Sequence, residues 1–177
     1  MAKVTFASLK LKTNEDIKTF IFNDKEIEVK QYLPAADKNS ILELAMQKAD
    51  ETTVINTFAL DALFHLFIVM KYTNLTFTDT QKEDLLKLYD ICESNGLIQK
   101  VIEVIPEEEY NTLRDNLIDM LDNYNKYRNS ARALVEQFSM FAPQQAENIA
   151  EKLKDLDVEK VKELFDVTKE TGGFQVV

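Results

Sequence analysis

Two runs of β-branched and aromatic side chains, at 17–22 and 26–33, stand near the start of the chain on either side of a polar turn at 23–25. Such runs around polar turn residues predict an antiparallel β-hairpin. Three apolar residues are consecutive at the end of the first run, so the alternation typical of a half-exposed strand is broken there. We therefore expect both faces of the first strand to be covered.

Helical spacing of apolar positions replaces the strand pattern after residue 34. The predicted helices lie, in chain order, over about twelve residues capped by Asp37, then at about 56–72, 78–95, 98–105, 107–141, 144–153 and 157–169. The second helix is apolar nearly all round, which is typical of a central core helix. Thr78 and Gln81 have the spacing of a capping box at the start of the third helix, and Asn95 with Gly96 provides its stop.

The longest predicted helix, at about 107–141, carries apolar side chains at a 3-4 spacing throughout and contains no Gly or Pro. Pro106 precedes it, and three glutamates follow where the positive end of the helix dipole favours negative charge. The apolar seam consists of Tyr110, Leu113, Leu117, Met120, Tyr124, Tyr127, Ala131, Leu134, Phe138 and Phe141. Such a helix is about 50 Å long, whereas a compact chain of this length is about 40 Å across. We therefore expect it to protrude or to be shared with a neighbour, which favours an assembly or docking protein.

Together these patterns predict a mainly α fold, with an N-terminal β-hairpin followed by a bundle of about six or seven helices. The predicted organisation is a hairpin segment at 1–34, a helical core with the long helix at 35–142, and a C-terminal helical pair with a short tail at 143–177. No internal repeat or low-complexity tract interrupts this order.

Composition narrows the functional class. The 177 residues include only one Cys, which permits no internal disulfide, and the net charge is −10. The chain begins without an apolar signal core, and its longest apolar stretch, at 58–72, is too short and too charged to span a membrane. We therefore expect a cytoplasmic protein without a membrane partner. The acidity is spread along the chain without a basic stripe, which argues against nucleic-acid partners.

The residue types used in catalysis and metal binding are sparse. His65 is the only histidine, so no serine or cysteine triad can form, and its apolar neighbours favour a core histidine over a metal ligand. Cys92 lies beside Glu93 in a predicted helix and is predicted to be an inert packing residue. Asp155 and Asp157 resemble the start of a calcium loop, but the required Gly is missing. We therefore predict no enzymatic activity, no cofactor and no metal.

An aromatic–basic strip lies on the long helix where additional apolar positions thin out. It consists of Tyr124, Tyr127, Arg128 and Arg132. Tyr and Arg are enriched at binding hot spots, so we predict that this strip contacts a protein partner or a second copy in a homo-oligomer. The alternative is that neighbouring helices cover the seam and that the strip is internal packing.

Three segments of the chain resemble a known group of proteins. They are Phe20-Ile-Phe-Asn-Asp-Lys-Glu-Ile-Glu-Val-Lys-Gln-Tyr-Leu-Pro34, Tyr72-Thr-Asn-Leu-Thr-Phe-Thr78 and the helix start Pro106-Glu-Glu-Glu-Tyr110. In pattern, residues 17–142 resemble small proteins from the structural gene modules of tailed bacteriophages, and most of all tail assembly chaperones, which begin with a short β element and continue as helices. As a family these chaperones keep the tape-measure protein soluble and recruit tail-tube subunits.

The resemblance implies a non-enzymatic phage morphogenesis protein that binds tape-measure or tail-tube protein in the cytoplasm of an infected bacterium. Two alternatives share its small size, its acidity and its lack of catalytic residues. One is a phage-encoded stoichiometric inhibitor of a host defence system. The other is a head-tail connector or another structural component that stays in the virion.

Overall fold

A two-stranded β-hairpin precedes six α-helices in the described part of the chain. The computed structural model describes residues 3–51, 54–128 and 130. In chain order the elements are a 3-10 helix at Phe6–Leu9, β1 at Ile17–Phe22, β2 at Lys25–Lys30, α1 at Ala35–Ala49, β3 at Asp50–Glu51, β4 at Val54–Ile55, α2 at Thr57–Tyr72, α3 at Asp79–Lys82, α4 at Leu85–Ser94, α5 at Leu97–Val104 and α6 at Glu107–Arg128. The predicted mainly α fold with an N-terminal hairpin is therefore confirmed. Residues up to Leu117 form one compact unit, and a second unit begins at Ile118.

The β1–β2 hairpin turns at Asn23 and Asp24. Its strands pair in antiparallel register, with Ile17 opposite Lys30. The two turn residues have φ values of 47° and 59°, and asparagine and aspartate tolerate this left-handed conformation better than most side chains. A two-residue turn with both φ values positive has the twist that antiparallel strands need. The polar turn in the sequence therefore sets the register of the hairpin.

The two faces of β1 differ in burial. Phe20 and Phe22 are half-buried, and α5 packs against this strand. Ile17 and Ile21, on the opposite face, are 53% and 69% exposed. The prediction that both faces of the first strand are covered is therefore wrong for the described residues. One face carries the half-buried phenylalanines, and the consecutive apolar residues place apolar side chains on the exposed face as well.

α2 is the centre of the core, and α1 and α4 both pack against it. Phe64 and Tyr72 of this helix are fully buried. The predicted core helix is therefore confirmed, with one exception. Phe58, one of the apolar positions of this helix, was expected in the core but is 72% exposed. It shares a helix face with the exposed Asp61 and the half-buried His65.

α1 begins earlier than predicted. Pro34 occupies the cap position, and no side chain caps the helix there. Asp37 lies instead in the first turn, where its Oδ1 accepts a hydrogen bond from the Lys71 Nζ at 3.0 Å. The predicted capping role of Asp37 is wrong because Ala35 and Ala36 are strong helix formers that extend the helix toward the proline.

The helix predicted at 78–95 is two helices. Thr78 and Gln81 form the predicted capping box, which is confirmed at the start of α3. α3 ends after one turn, because the Asp84 side chain accepts a hydrogen bond from the Lys87 N–H at 3.0 Å and caps a new helix, α4. The single continuous helix is therefore wrong, although its end before Gly96 agrees with the prediction.

α6 begins directly after Pro106, whose carbonyl accepts hydrogen bonds from the N–H groups of Glu109 and Tyr110 at 3.0 Å. Its described residues, Glu107–Arg128, span about 33 Å. The predicted continuation to about 141, the helices at 144–153 and 157–169 and the boundary at 142 lie outside the described residues. The predicted boundary at 34 stays a prediction. No helix in the described ranges is both long and apolar enough to cross a membrane.

Candidate protein-interaction site

A carboxylate in the first turn of α6 joins four parts of the fold. The Glu109 Oε1 accepts hydrogen bonds from the Leu33 backbone N–H and the Tyr72 hydroxyl, both at 3.0 Å. Its Oε2 accepts one from the Lys38 Nζ at 2.7 Å. These groups come from the chain after β2, from α1, from the end of α2 and from α6. We call them the Glu109 cluster, and both carboxylate oxygens in it are engaged.

The electrostatics of the Glu109 cluster keep its tyrosine protonated. Burial raises the pKa of Tyr72 above its ordinary value of 10.0, and the charge of Glu109 raises it further. The Tyr72 hydroxyl is therefore a fixed donor to Glu109. A carboxylate with both oxygens bonded and a phenol that stays protonated suit a structural clamp better than proton transfer.

His65 is also held by neighbouring groups. Its Nδ1 lies 2.8 Å from the carbonyl oxygen of Asp61, and its Nε2 lies 2.9 Å from the Tyr110 hydroxyl. A carbonyl oxygen can only accept, so Nδ1 carries a proton, and in a neutral ring Nε2 accepts from the tyrosine. The two rings are also stacked, with centroids 6.2 Å apart. The geometry therefore agrees with the predicted core histidine.

Neither a reactive cysteine nor a cluster of metal ligands is found among the described residues. Cys92 is buried, and burial raises the pKa of its thiol, which agrees with the predicted packing role. Within residues 3–51, 54–128 and 130, no three His, Cys, Asp or Glu side chains gather as metal ligands would. The predicted calcium-like segment at 155–159 lies outside these ranges.

The aromatic–basic strip is described for three of its four residues. Tyr124, Tyr127 and Arg128 lie in the last turns of α6, and Arg132 lies outside the described residues. The Arg128 Nη1 donates a hydrogen bond to the Tyr124 hydroxyl at 2.9 Å, and the guanidinium carbon lies 5.6 Å from the centroid of that ring. Tyr127 is 49% exposed. The helix thus brings these three together, and their role in binding a partner stays a prediction.

Besides the aromatic–basic strip, the structure shows an exposed apolar surface that the sequence did not predict. Residues 3–19 are all exposed, although several are large and apolar. The large exposed apolar side chains among residues 3–12 are Val4 at 74%, Phe6 at 77%, Leu9 at 53% and Leu11 at 66%. We call this segment the 4–11 stretch. Its apolar positions follow neither the period of a strand nor that of a helix. The sequence therefore predicts no secondary-structure element there and no exposed apolar surface.

Comparison of the chain with protein-family models, with curated proteins and with solved structures finds no match.

Proposed function

We propose that this chain is a non-enzymatic assembly protein that holds an apolar segment of another protein. In keeping with the resemblance of its sequence, we propose that it is a tail assembly chaperone of a tailed phage and that it binds tape-measure or tail-tube protein. The single observation that supports this best is the exposure of the 4–11 stretch. Clustered large apolar side chains on a surface commonly mark a protein-binding site.

The chemistry of the 4–11 stretch suits reversible binding. Complete burial of a Val, Leu or Phe side chain contributes about 1.5 kcal/mol or more. Four such side chains therefore provide several kcal/mol, and the loss of translational and rotational freedom, about 4 kcal/mol or more, offsets much of that gain. The stretch alone therefore gives weak, reversible binding, which suits a chaperone that must release its client during assembly.

The polar side chains support a non-enzymatic role. The carboxylate of Glu109 and the imidazole of His65, the groups best placed to move a proton, are hydrogen-bonded to other parts of the fold. Groups used in this way stabilise the relative positions of helices.

Co-expression with the tape-measure protein of the same gene module tests the proposal. We expect the soluble fraction of the tape-measure protein to rise several-fold when this chain is present. The double substitution Phe6→Ser with Leu9→Ser should remove most of that gain. Phe58→Ser is the matched control, because Phe58 on α2 is similarly exposed and lies outside the stretch. A wild-type chain without effect on solubility, or a control as damaging as the double variant, would overturn the proposal.

The acidity of the chain supports the second candidate function, inhibition of a host defence system. The net charge of −10 suits a complex with a basic, nucleic-acid-binding surface. Mass spectrometry of purified virions and of infected-cell lysate separates the possibilities. We expect the chain in the lysate, bound to tail protein, and not in virions. Presence in virions would favour the connector, and a one-to-one complex with a host nuclease would favour the inhibitor.

A further inference from the structure

β1 is an edge strand whose outer side is open in the described part of the chain. β2 has partners on both sides, because it pairs with β1 and Val29 bridges to Thr73. Glu28 strengthens the second contact, since its N–H donates to the Asn74 Oδ1 at 3.2 Å and its carbonyl accepts from the Asn74 N–H at 3.3 Å. β1 pairs with β2 alone among the described strands.

The hydrogen-bond pattern identifies the residues of β1 that face the open side. The Gln31 N–H donates to the Asp16 carbonyl at 2.9 Å, and bonded pairs alternate from there, so the even-numbered residues of β1 bond to β2. Thr19 stands opposite Glu28, whose backbone groups point away from β1 toward Asn74. The alternation therefore points the backbone N–H and C=O groups of the odd-numbered residues to the open side. These residues are Ile17, Thr19 and Ile21.

The open side of β1 has little of the protection that edge strands usually carry. Charged side chains, prolines and bulges normally prevent an edge from pairing with another strand. Lys18 is the only charged residue of β1, and its register with β2 runs without a bulge. Ile17 and Ile21 leave more than half of their surface exposed. An edge of this kind is suited to accept an additional strand.

We propose that β1 of a second copy of this chain pairs with β1, antiparallel and centred on Thr19, so that two hairpins form one four-stranded sheet. Antiparallel pairing about a two-fold axis is the symmetry expected of a closed dimer. In this register Thr19 faces Thr19 of the second copy, and Ile17 faces Ile21. Every outward-facing backbone group of both strands then has a partner, which gives about six hydrogen bonds.

The side chains complement one another in this register, and this selects a second copy as the occupant. Ile17 and Ile21 meet on the outer face at both ends of the shared strand pair, and directly opposite apolar side chains stabilise a sheet. On the inner face Lys18 lies opposite the half-buried Phe20, where its methylene stem covers the ring and its ammonium group can reach the ring face. No like charges stand opposite each other.

The neighbouring registers are less favourable. Centring the pair on Lys18 places two lysines directly opposite each other. Centring it on Phe20 sets Asp16 against Asp24. Like charges directly opposite one another destabilise a strand pair.

The proposed dimer uses β1 and not the 4–11 stretch. A test of the dimer is therefore independent of the proposed chaperone function.

Substitution of Thr19 by proline tests the pairing with little risk to the fold. The Thr19 N–H points away from β2, so Thr19→Pro removes no hydrogen bond of the hairpin but blocks the centre of the proposed ladder. We expect sedimentation velocity to show the wild type shifting from monomer to dimer between micromolar and millimolar concentrations. Thr19→Pro should stay monomeric, and the control Thr19→Ala should dimerise. A wild type that is monomeric throughout, or a Thr19→Pro variant that dimerises like wild type, would overturn the proposal.

Charge substitutions test the register without altering the backbone. One variant carries Ile17→Lys with Ile21→Lys, and the other carries Ile17→Glu with Ile21→Glu. Because position 17 faces position 21 of the second copy, each variant should repel itself and stay monomeric, whereas a mixture should form a heterodimer. Both residues are exposed, so folding should persist. A mixture that stays monomeric, or either variant dimerising alone, would exclude this register.

Discussion

The Glu109 cluster and the 4–11 stretch lie in the same compact unit, yet they place polar and apolar groups in opposite ways. In the cluster, a carboxylate, a phenol and an ammonium group lie inside the fold and satisfy one another at 2.7–3.0 Å. In the stretch, Val4, Phe6, Leu9 and Leu11 leave between 53% and 77% of their surface exposed. The polar groups of the cluster thus join four parts of the fold, whereas the apolar side chains of the stretch stay exposed.

The difference indicates which substitutions affect folding and which affect binding. The Glu109 carboxylate accepts three hydrogen bonds and its side chain is only 11% exposed, so its loss would leave three partly buried donors without this acceptor. An exposed apolar side chain contributes little to the fold, since its surface stays in contact with water in the folded and the unfolded state. Loss of a polar group of the Glu109 cluster should therefore destabilise the fold, and loss of an exposed apolar group should not.

Among substitutions in the regions compared, the largest effect on stability is expected from Glu109→Ala. The substitution leaves the Leu33 N–H, the Tyr72 hydroxyl and the Lys38 ammonium group without their acceptor, and we expect a loss of about 3 kcal/mol in the free energy of unfolding. Urea denaturation followed by circular dichroism measures it. The control Glu108→Ala removes an exposed carboxylate from the same helical turn and should cost less than about 1 kcal/mol. Equal losses for the two variants would refute the structural importance of the cluster.

The aromatic–basic strip on α6 differs from both the Glu109 cluster and the 4–11 stretch because it combines polar and apolar groups in one surface. Tyr127→Ala with Arg128→Ala should reduce capture of the protein partner, since buried Tyr and Arg contacts can each contribute more than about 2 kcal/mol at an interface. The helical fold should persist. Asn125→Ala with Lys126→Ala, exposed neighbours in the same helix, is the control.

Two results would contradict this prediction about the strip. If the strip is internal packing, truncation of a buried aromatic residue should cost about 3–5 kcal/mol and the melting temperature should fall sharply. A variant that folds and binds normally would equally exclude the strip as the binding surface. Pull-down of co-expressed partner, together with a thermal melt, distinguishes all three outcomes.

Tyr72→Phe tests the Glu109 cluster through pH. Below pH 10 the loss of one hydrogen bond should cost about 1 kcal/mol. The folded state raises the pKa of Tyr72 above its ordinary 10.0, so the phenol loses its proton first in the unfolded chain. Its contribution is present below pH 10 and is lost as the pH rises, by up to about 1.4 kcal/mol per pH unit. The stability gap between wild type and variant should therefore narrow above pH 10, and a constant gap would refute the shift.

Local signals in the sequence were sufficient for much of the fold. The turn at Asn23 and Asp24, the capping box at Thr78 and the apolar run of α2 each depend on residues within a few positions of one another, and each was predicted. The second cap at Asp84 was missed because a polar run without apolar periodicity separates the two helices. The strands β3 and β4 have two residues each and carry no alternation.

The contacts that define the Glu109 cluster could not be predicted in this way. Leu33 and Glu109 are 76 residues apart, and nothing local to either residue identifies the other. Glu109 was interpreted only as one of three glutamates favoured by the helix dipole. The aromatic–basic strip was predicted from neighbouring residues of one helix, where additional apolar positions thin out and Tyr and Arg lie close together. The 4–11 stretch was missed because exposure of an apolar residue depends on what the rest of the chain leaves uncovered.

The smallest effect on stability is expected from Phe6→Ala. Phe6 is 77% exposed, so its removal should change the free energy of unfolding by less than about 0.5 kcal/mol. Phe64→Ala is the matched control, because the same substitution at a side chain with 1% exposure should cost about 3–5 kcal/mol. Urea denaturation of both variants measures the difference. A loss above about 1.5 kcal/mol for Phe6→Ala would mean that this ring is covered in the folded chain. In that case the 4–11 stretch would belong to the core, and its apolar side chains would not be available to a partner.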